Sequence, residues 1–169
     1  MDELLDIVDE NDKVLGRATR NESCQKGLLH RAVNVIVINS KGEIFLQQRS
    51  RKKKTFKLFW DISASEHVKS GESYHQAAER GVLEELGIKI KCRRIRPVHF
   101  QDNSFKEVKE KELVELFIAK SNQEMVLDKE EVSGGKFFTI EQISDMVKKK
   151  WKFTPWFWDE WMFVKAALA

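Results

Sequence analysis

Acidic side chains recur at helical spacing in the segment 66–88, EHVKSGESYHQAAERGVLEELGI. Arg80 and Glu84 are four residues apart, so they would face each other on a helix. Glu85 would lie on the adjacent strip of that helix, and Glu72 at its entrance. Carboxylates that converge on a helix and its preceding loop suit a hard cation such as Mg²⁺, which takes oxygen ligands and substrate phosphates. The segment therefore predicts a site where a divalent metal meets a diphosphate.

Both ends of this helix are marked in the sequence. Ser73 has the type and position of an N-cap, and Gln76 is its reciprocal partner in a capping box. Gly87 falls where a glycine typically ends a helix. The carboxylates are therefore expected on a helix that begins after Ser73 and ends before Gly87.

The segment resembles the Nudix box, whose pattern is G-x5-E-x7-R-E-U-x-E-E-x-G-U, with U an aliphatic residue. Seven positions are in register: Glu72, Arg80, Val82, Glu84, Glu85, Gly87 and Ile88. Two depart from the pattern, because Glu66 replaces its first glycine and Gly81 its glutamate after the arginine. That glutamate is commonly a metal ligand in the family, so Gly81 predicts a leaner metal site, with one carboxylate ligand fewer. Gly81→Glu is expected to restore that ligand, to bind the metal more tightly and to speed hydrolysis. The alternative is an amphipathic surface helix with a salt bridge.

Three further segments resemble the isopentenyl-diphosphate isomerase branch of the Nudix superfamily. They are GLLHRAVNVIVINSKGEIFLQQR at 27–49, FWDISASEHV at 59–68 and FTPW at 153–156. This resemblance covers roughly residues 4–165. It implies an α+β fold, with an α/β/α sandwich around a mixed β-sheet.

The branch resemblance also assigns roles to residues outside the box. The implied metal ligands are His30, His67, Glu110 and Glu112, in addition to Glu72, Glu84 and Glu85 of the box. The implied diphosphate-binding positions are Arg49 with Lys53 or Lys54, and Trp156 matches a tryptophan that lines the substrate pocket. Arginine suits diphosphate because its planar guanidinium binds phosphate oxygens in pairs.

Three departures from the isomerase branch argue against isomerisation. Ser65 occupies the place of the catalytic cysteine, Phe100 that of an active-site tyrosine, and Ser23 that of a metal-binding histidine. Isomerisation needs an acid on one face of a double bond and a base on the other, and a serine hydroxyl is far less acidic than a thiol. Hydrolysis of a diphosphate needs less, because a metal neutralises phosphate charge and activates water.

The sequence therefore favours a Nudix hydrolase that cleaves a nucleoside or other organic diphosphate with Mg²⁺ or Mn²⁺. Glu85 would be the principal metal ligand, Glu84 would support it and Arg80 would orient the carboxylates. His67, Glu110 and Glu112 would supply a second metal site or the general base. Two alternatives stay open: an isopentenyl-diphosphate isomerase with altered catalytic groups, and a catalytically silent module that binds a phosphorylated ligand.

Length and composition limit the number of domains, the kinds of partner and the cellular location that can be expected. A chain of 169 residues is expected to form a single domain, here 1–169, and a net charge of +3 gives no case for a nucleic-acid partner. Because no signal peptide and no 18-residue apolar run is visible, we expect a cytoplasmic protein without membrane segments. Cys24 and Cys92 are expected to be free thiols, and Glu130 and Glu131 to face solvent.

The elements that must position the site alternate along the chain. Strands are predicted at 4–8, 13–18, 31–38, 43–49, 59–63, 88–100, 111–119 and 136–138, with a turn at 133–135 before the last. A second capping box, Thr139 with Gln142, predicts another helix, and 156–168 predicts a tryptophan-rich terminal helix. These aromatic residues would form either an intramolecular core or the interface of a homodimer.

Overall fold

The computed structural model of the protein describes residues 2–168. In chain order the elements are β1 Leu4–Val8, β2 Val14–Thr19, α1 Arg20–Lys26, β3 His30–Ile38, β4 Ile44–Arg49, β5 Trp60–Asp61, β6 Ala64–His67, α2 Tyr74–Leu86, β7 Arg93–Asp102, β8 Lys111–Lys120, β9 Val132–Phe138, α3 Ile140–Lys148 and α4 Pro155–Leu168. None of the helices in this described part is long and apolar enough to cross a membrane.

The sheet is mixed and is organised around β3. This strand pairs in parallel with β8, from His30 beside Glu112 to Ile38 beside Lys120. It also pairs antiparallel with β6, where Ala32 lies opposite His67. The two pairings bring one end of β3, the start of β8 and the end of β6 together, so residues far apart in sequence meet at one end of the sheet.

Apolar side chains cover both faces of the sheet. One cluster packs Ile36 and Leu116 of the sheet against α3 and α4, with Phe157 almost fully buried. The other packs Val35 and Phe117 against the inner face of α2. The predicted α/β/α sandwich around a mixed sheet is therefore confirmed.

The helix ends follow the sequence signals where capping residues were present. Both capping boxes form, and Gly87 adopts the left-handed conformation that ends α2, with φ +68°. Helix α1 was not predicted, although Thr19 caps its start and Gly27 its end. It has only seven residues, too few to show a periodic apolar pattern.

The turn predicted at 133–135 is wrong, because these residues lie within β9. Gly134 and Gly135 pair with Gln48 and Gln47 of β4. A Cβ at Gly135 would lie 2.6 Å from the ring of Phe45. Glycine at this position permits close packing of the neighbouring strand rather than a change of chain direction.

Helix α4 buries most of its aromatic side chains within its own chain. Trp156, Phe157 and Trp161 are in the core, whereas Trp158 and Met162 are exposed. Intramolecular packing thus accounts for the buried part of the tryptophan-rich segment. The homodimer stays a prediction.

A polar clamp attaches α4 to the sheet beneath it. The carboxylate of Glu160 is completely buried and accepts hydrogen bonds from Asn34 of β3 at 3.0 Å and from Gln101 of β7 at 2.8 Å. Arg96 and His99, also on β7, lie 3.1 and 3.0 Å from it. A buried anion is stable only when such partners satisfy it, so the contacts fix where α4 lies on the sheet.

We predict that Glu160→Ala lowers the free energy of unfolding by about 3 kcal/mol, because the buried partners of the carboxylate lose their acceptor. The neighbouring Asp159→Ala is the matched control, since Asp159 is exposed, and it should change stability by less than about 0.5 kcal/mol. Urea denaturation followed by circular dichroism measures both. Equal effects of the two substitutions would contradict the clamp.

Candidate metal and diphosphate site

Glu85 is the most deeply buried carboxylate of α2. Its Oε2 accepts a hydrogen bond from Gln47 Nε2 at 2.5 Å, and its Oε1 accepts one from the backbone N–H of Ser65 at 3.1 Å. Burial, followed by the nearby charge of Glu66, raises the pKa of Glu85 well above its ordinary value. The charged form of this carboxylate therefore gains strongly from a cation beside it.

Arg80 fixes the carboxylates around α2. Its guanidinium binds Glu84 at 3.0 Å, as the helical spacing predicted, and Glu66 at 3.0 Å. It also donates to the backbone carbonyl of His67 and to both oxygens of Glu72. Arg80 therefore contacts three glutamates, among them Glu84, which it was predicted to orient, and Glu72; its functional role stays a prediction.

A second cluster forms where β3, β6 and the start of β8 meet. One ligand atom from each of His30, His67, Glu110 and Glu112 lies within 4.8 Å of the others. His67 Nε2 is 3.1 Å from Glu110 and 3.5 Å from Glu112. The structure thus brings together all four residues that the resemblance implied as metal ligands outside the box.

His30 is oriented as a ligand would be. Its Nδ1 lies 2.8 Å from the carbonyl oxygen of Leu28, so Nδ1 carries the proton and donates. Its Nε2 is buried, has no hydrogen-bond partner among residues 2–168, and lies 3.8 Å from Glu112. A buried nitrogen with a free lone pair, aimed at two carboxylates and a second imidazole, fits a divalent cation.

The protonation of this cluster reflects crowded charge. Burial lowers the pKa of His30 to about 4, and burial together with the charge of Glu110 raises the pKa of Glu112 to about 7. Burial lowers the pKa of His67 and raises that of Glu110, but the hydrogen bond between them together with the neighbouring charges, including Glu3 and Glu112 for His67 and Arg20 for Glu110, outweighs burial. The pKa of His67 is therefore about 9 and that of Glu110 about 2. The His67 proton here offsets acidic charge that a metal would otherwise neutralise.

Basic and aromatic groups also contribute to the site. Arg49 lies over the ring of Trp156, 5.1 Å from the ring centroid, and its Nη1 is 3.2 Å from Asp61. The fully buried Asp61 also accepts from Trp156 Nε1 at 2.6 Å and from Thr154 at 3.0 Å. Asp61 thus holds the guanidinium of Arg49 and the indole of Trp156 in place, a role that could not be predicted from the sequence.

One cavity of about 370 Å³ joins these groups. Carboxylates of both clusters line it, namely Glu66, Glu84, Glu85, Glu110 and Glu112. Arg49, Lys53 and Trp156 line it as well. The volume is within the range of small-molecule pockets.

Several residues lie elsewhere than the sequence suggested. Lys54 borders a neighbouring cavity with Cys24, and Glu131 lines the main cavity and pairs with Lys53 instead of facing solvent alone. Phe100 is 57% exposed on β7 and does not line the cavity. Ser23 is buried in α1, where its hydroxyl donates to the carbonyl of Thr19 rather than joining the metal cluster.

The structure leaves no free space for the side chain that Gly81→Glu would add. A Cβ at Gly81 would lie 2.6 Å from Cγ and 3.2 Å from Cβ of Glu66. The side chain of Glu66 already fills the space beside the helix. A single substitution would therefore crowd β6 against α2 before any carboxylate reached the metal.

With the geometry in place, comparison with known proteins decides the family. A family model of the NUDIX domain matches residues 28–157. The chain belongs to the Nudix family. The predicted superfamily is thus confirmed, and the box segment and the four residues of the histidine and glutamate cluster lie within the matched region. Glu3 and Arg20 of the cavity wall precede it.

Named relatives include both hydrolases and isomerases. An uncharacterised Nudix hydrolase of Listeria monocytogenes is 33% identical over 164 residues, covering 94% of this chain and 92% of that protein. Isopentenyl-diphosphate Delta-isomerase 1 of Photorhabdus laumondii is 33% identical over 159 residues, covering 92% and 90%. A crystal structure of a Deinococcus radiodurans protein shares the fold with TM-score 0.78 and 24% identity, covering 97% and 98%.

We predict that Glu85→Gln stabilises the metal-free protein and abolishes stabilisation by Mg²⁺. The change removes a buried charge, and a 180° rotation of the Gln47 amide brings its carbonyl oxygen, unpaired among the described residues, to accept from the new amide. Each kcal/mol gained should raise the melting temperature by about 2–4 °C.

Thermal melts in EDTA and in Mg²⁺ measure this effect. Glu79→Gln is the matched control, because Glu79 is on the same helix, pairs with Lys91 and does not line the cavity. The control should keep the Mg²⁺-dependent shift of the wild type. An unchanged Mg²⁺ shift in Glu85→Gln would remove Glu85 from the metal site.

Proposed function

We propose that this protein is a metal-dependent hydrolase of a small organic diphosphate, such as a nucleoside diphosphate derivative. The observation that carries the proposal is that carboxylates and cationic side chains line the same cavity. Glu66, Glu84, Glu85, Glu110 and Glu112 line it together with Arg49 and Lys53. Metal ions held by the carboxylates, and the basic side chains, would both bind the oxygens of a diphosphate.

The donor atoms suggest which ions fit. Glu66, Glu84 and Glu85 offer only oxygen, which suits Mg²⁺. The second cluster mixes imidazole nitrogen with carboxylate oxygen, a set that suits Mn²⁺ or another transition metal. When bound, such ions supply charge neutralisation of the phosphates and a more acidic water.

The chain's own groups would bind and orient the substrate. The guanidinium of Arg49 lines the cavity and would donate to phosphate oxygens there. Trp156 presents an aromatic face beside this guanidinium. Arg80 holds Glu84 at the rim of the cavity, where the side chain is 50% exposed and could accept a proton from the attacking water.

The second candidate is isopentenyl-diphosphate isomerisation, which the Photorhabdus relative and the His30–Glu112 cluster favour. Against it, Ser65 lies in the cavity wall with its hydroxyl donating to Asn34 at 3.0 Å. None of the described residues that line the cavity is a cysteine or a tyrosine. The pair of groups needed to protonate and deprotonate opposite faces of a double bond is therefore incomplete.

A substrate panel tests the proposal. We expect Mg²⁺- or Mn²⁺-dependent release of phosphate or a monophosphate from at least one nucleoside or prenyl diphosphate, read by ³¹P NMR. With isopentenyl diphosphate we expect no dimethylallyl diphosphate above the no-enzyme control. Conversion of that substrate would establish the isomerase instead. Tight ligand binding with no turnover of any compound would establish a silent binding module.

Arg49→Gln should weaken diphosphate binding. Losing one charge-assisted contact to phosphate costs about 1.5–3 kcal/mol, so KM should rise roughly 10- to 100-fold while the Mg²⁺-induced melting shift is retained. Arg51→Gln is the control, because Arg51 is exposed and lies outside the cavity. If the two variants have the same KM, Arg49 does not bind the substrate.

A further inference from the structure

The two departures from the Nudix box, at 66 and 81, touch each other in the structure. Glu66 lies on β6 and Gly81 on the buried face of α2. The Cγ of Glu66 is 2.6 Å from the place where a Cβ of residue 81 would be. A glutamate at one position therefore requires a residue without a side chain at the other.

Gly81 is unexpected on grounds of helix stability alone. Glycine in a helix interior costs about 1 kcal/mol relative to alanine, so its presence implies a compensating requirement. The side chain of Glu66 explains the glycine, because it packs against α2 at this point and occupies the space that a Cβ would need. The glycine makes room for a carboxylate rather than leaving a gap.

The carboxylate of Glu66 also reaches the region that a glutamate at 81 would reach. Its carboxyl carbon is 3.9 Å from the Cβ position of residue 81. A glutamate's own carboxyl carbon is two bonds from its Cβ, so both side chains would present oxygens to the same part of the wall. Glu66 lines the cavity beside Glu85, and Arg80 engages only one of its oxygens, Oε2 at 3.0 Å.

We propose that Glu66 is a metal ligand that replaces the box glutamate missing at Gly81, so that the glutamate and glycine have exchanged places between β6 and α2. The inference deepens the proposed function, since it names a further ligand of the same site. With Glu66 as a ligand, the proposed metal site lacks no carboxylate, because strand β6 contributes the one that helix α2 does not.

The test is a four-member cycle read by Mg²⁺ binding without substrate. Wild type, Glu66→Gly, Gly81→Glu and the double variant are titrated with Mg²⁺ by calorimetry and by thermal melts. Glu66→Gly should lose at least about tenfold in Mg²⁺ affinity, as expected for loss of a carboxylate ligand. Gly81→Glu alone should melt lower and bind Mg²⁺ no more tightly, because of its contact with Glu66.

The double variant decides the matter. Exchanging both residues should restore the melting temperature and bring Mg²⁺ affinity back to within about threefold of wild type, a strong coupling between the two positions. Recovery of stability without recovery of Mg²⁺ affinity would overturn the inference, because the pair would then serve packing alone.

An isosteric substitution guards against misfolding. Glu66→Gln keeps the shape of the side chain and an oxygen for Arg80, and it should also lose at least about tenfold in Mg²⁺ affinity. Wild-type affinity in Glu66→Gln, or no Mg²⁺ binding by the wild type, would overturn the inference. Since substrate is absent from these titrations, failure to find turnover would refute only the proposed hydrolysis.

Discussion

β3 and β8 pair in parallel, with His30 beside Glu112, and the site depends on this register. Parallel strands need a long connection, so the pairing brings together segments that are distant in the chain. The antiparallel pairing of β6 on the other side of β3 places His67 next to the same corner. A shift of one residue in either strand would turn these side chains to the opposite face of the sheet, where they would enter the apolar core.

This register concentrates like charge in a confined space. Glu85 is held in the buried wall by Gln47 and the Ser65 N–H, and Glu66 lies close enough to raise its pKa. Arg80 offsets part of this charge on the helix side. The remaining repulsion is a cost to the metal-free fold that a bound cation would relieve, which is the usual sign of a functional rather than a structural cluster.

The placement of Arg49 and Trp156 depends on α4. The Glu160 clamp attaches this helix to β3 and β7, while Asp61 on β5 binds both Trp156 and Arg49. The position of the proposed phosphate-binding guanidinium is therefore coupled to a helix from the end of the chain. Two fully buried carboxylates, neither of which lines the cavity, thus hold Arg49, Trp156 and α4 in place beside it.

Hydrogen bonds between near neighbours could be predicted from the sequence alone. The capping boxes and the Arg80–Glu84 pair join residues three or four positions apart, and such spacing is visible in a sequence. The resemblance to a known family added the membership of the His30–Glu112 cluster. By contrast, the turn predicted at 133–135 proved to be a strand. Its glycines are there because β9 pairs with β4, and the ring of Phe45 on β4 leaves no room for a side chain at Gly135.

Only the tertiary structure could relate Glu66 to Gly81. Taken singly in the sequence, each is a departure from a pattern, and Gly81 suggests a missing ligand. Their contact depends on how β6 packs against α2, which no local spacing encodes. The sequence thus determined which kinds of side chain are available for metal and phosphate, because residue chemistry and helical spacing are local properties. The packing of strand on helix decided which of them share a cavity.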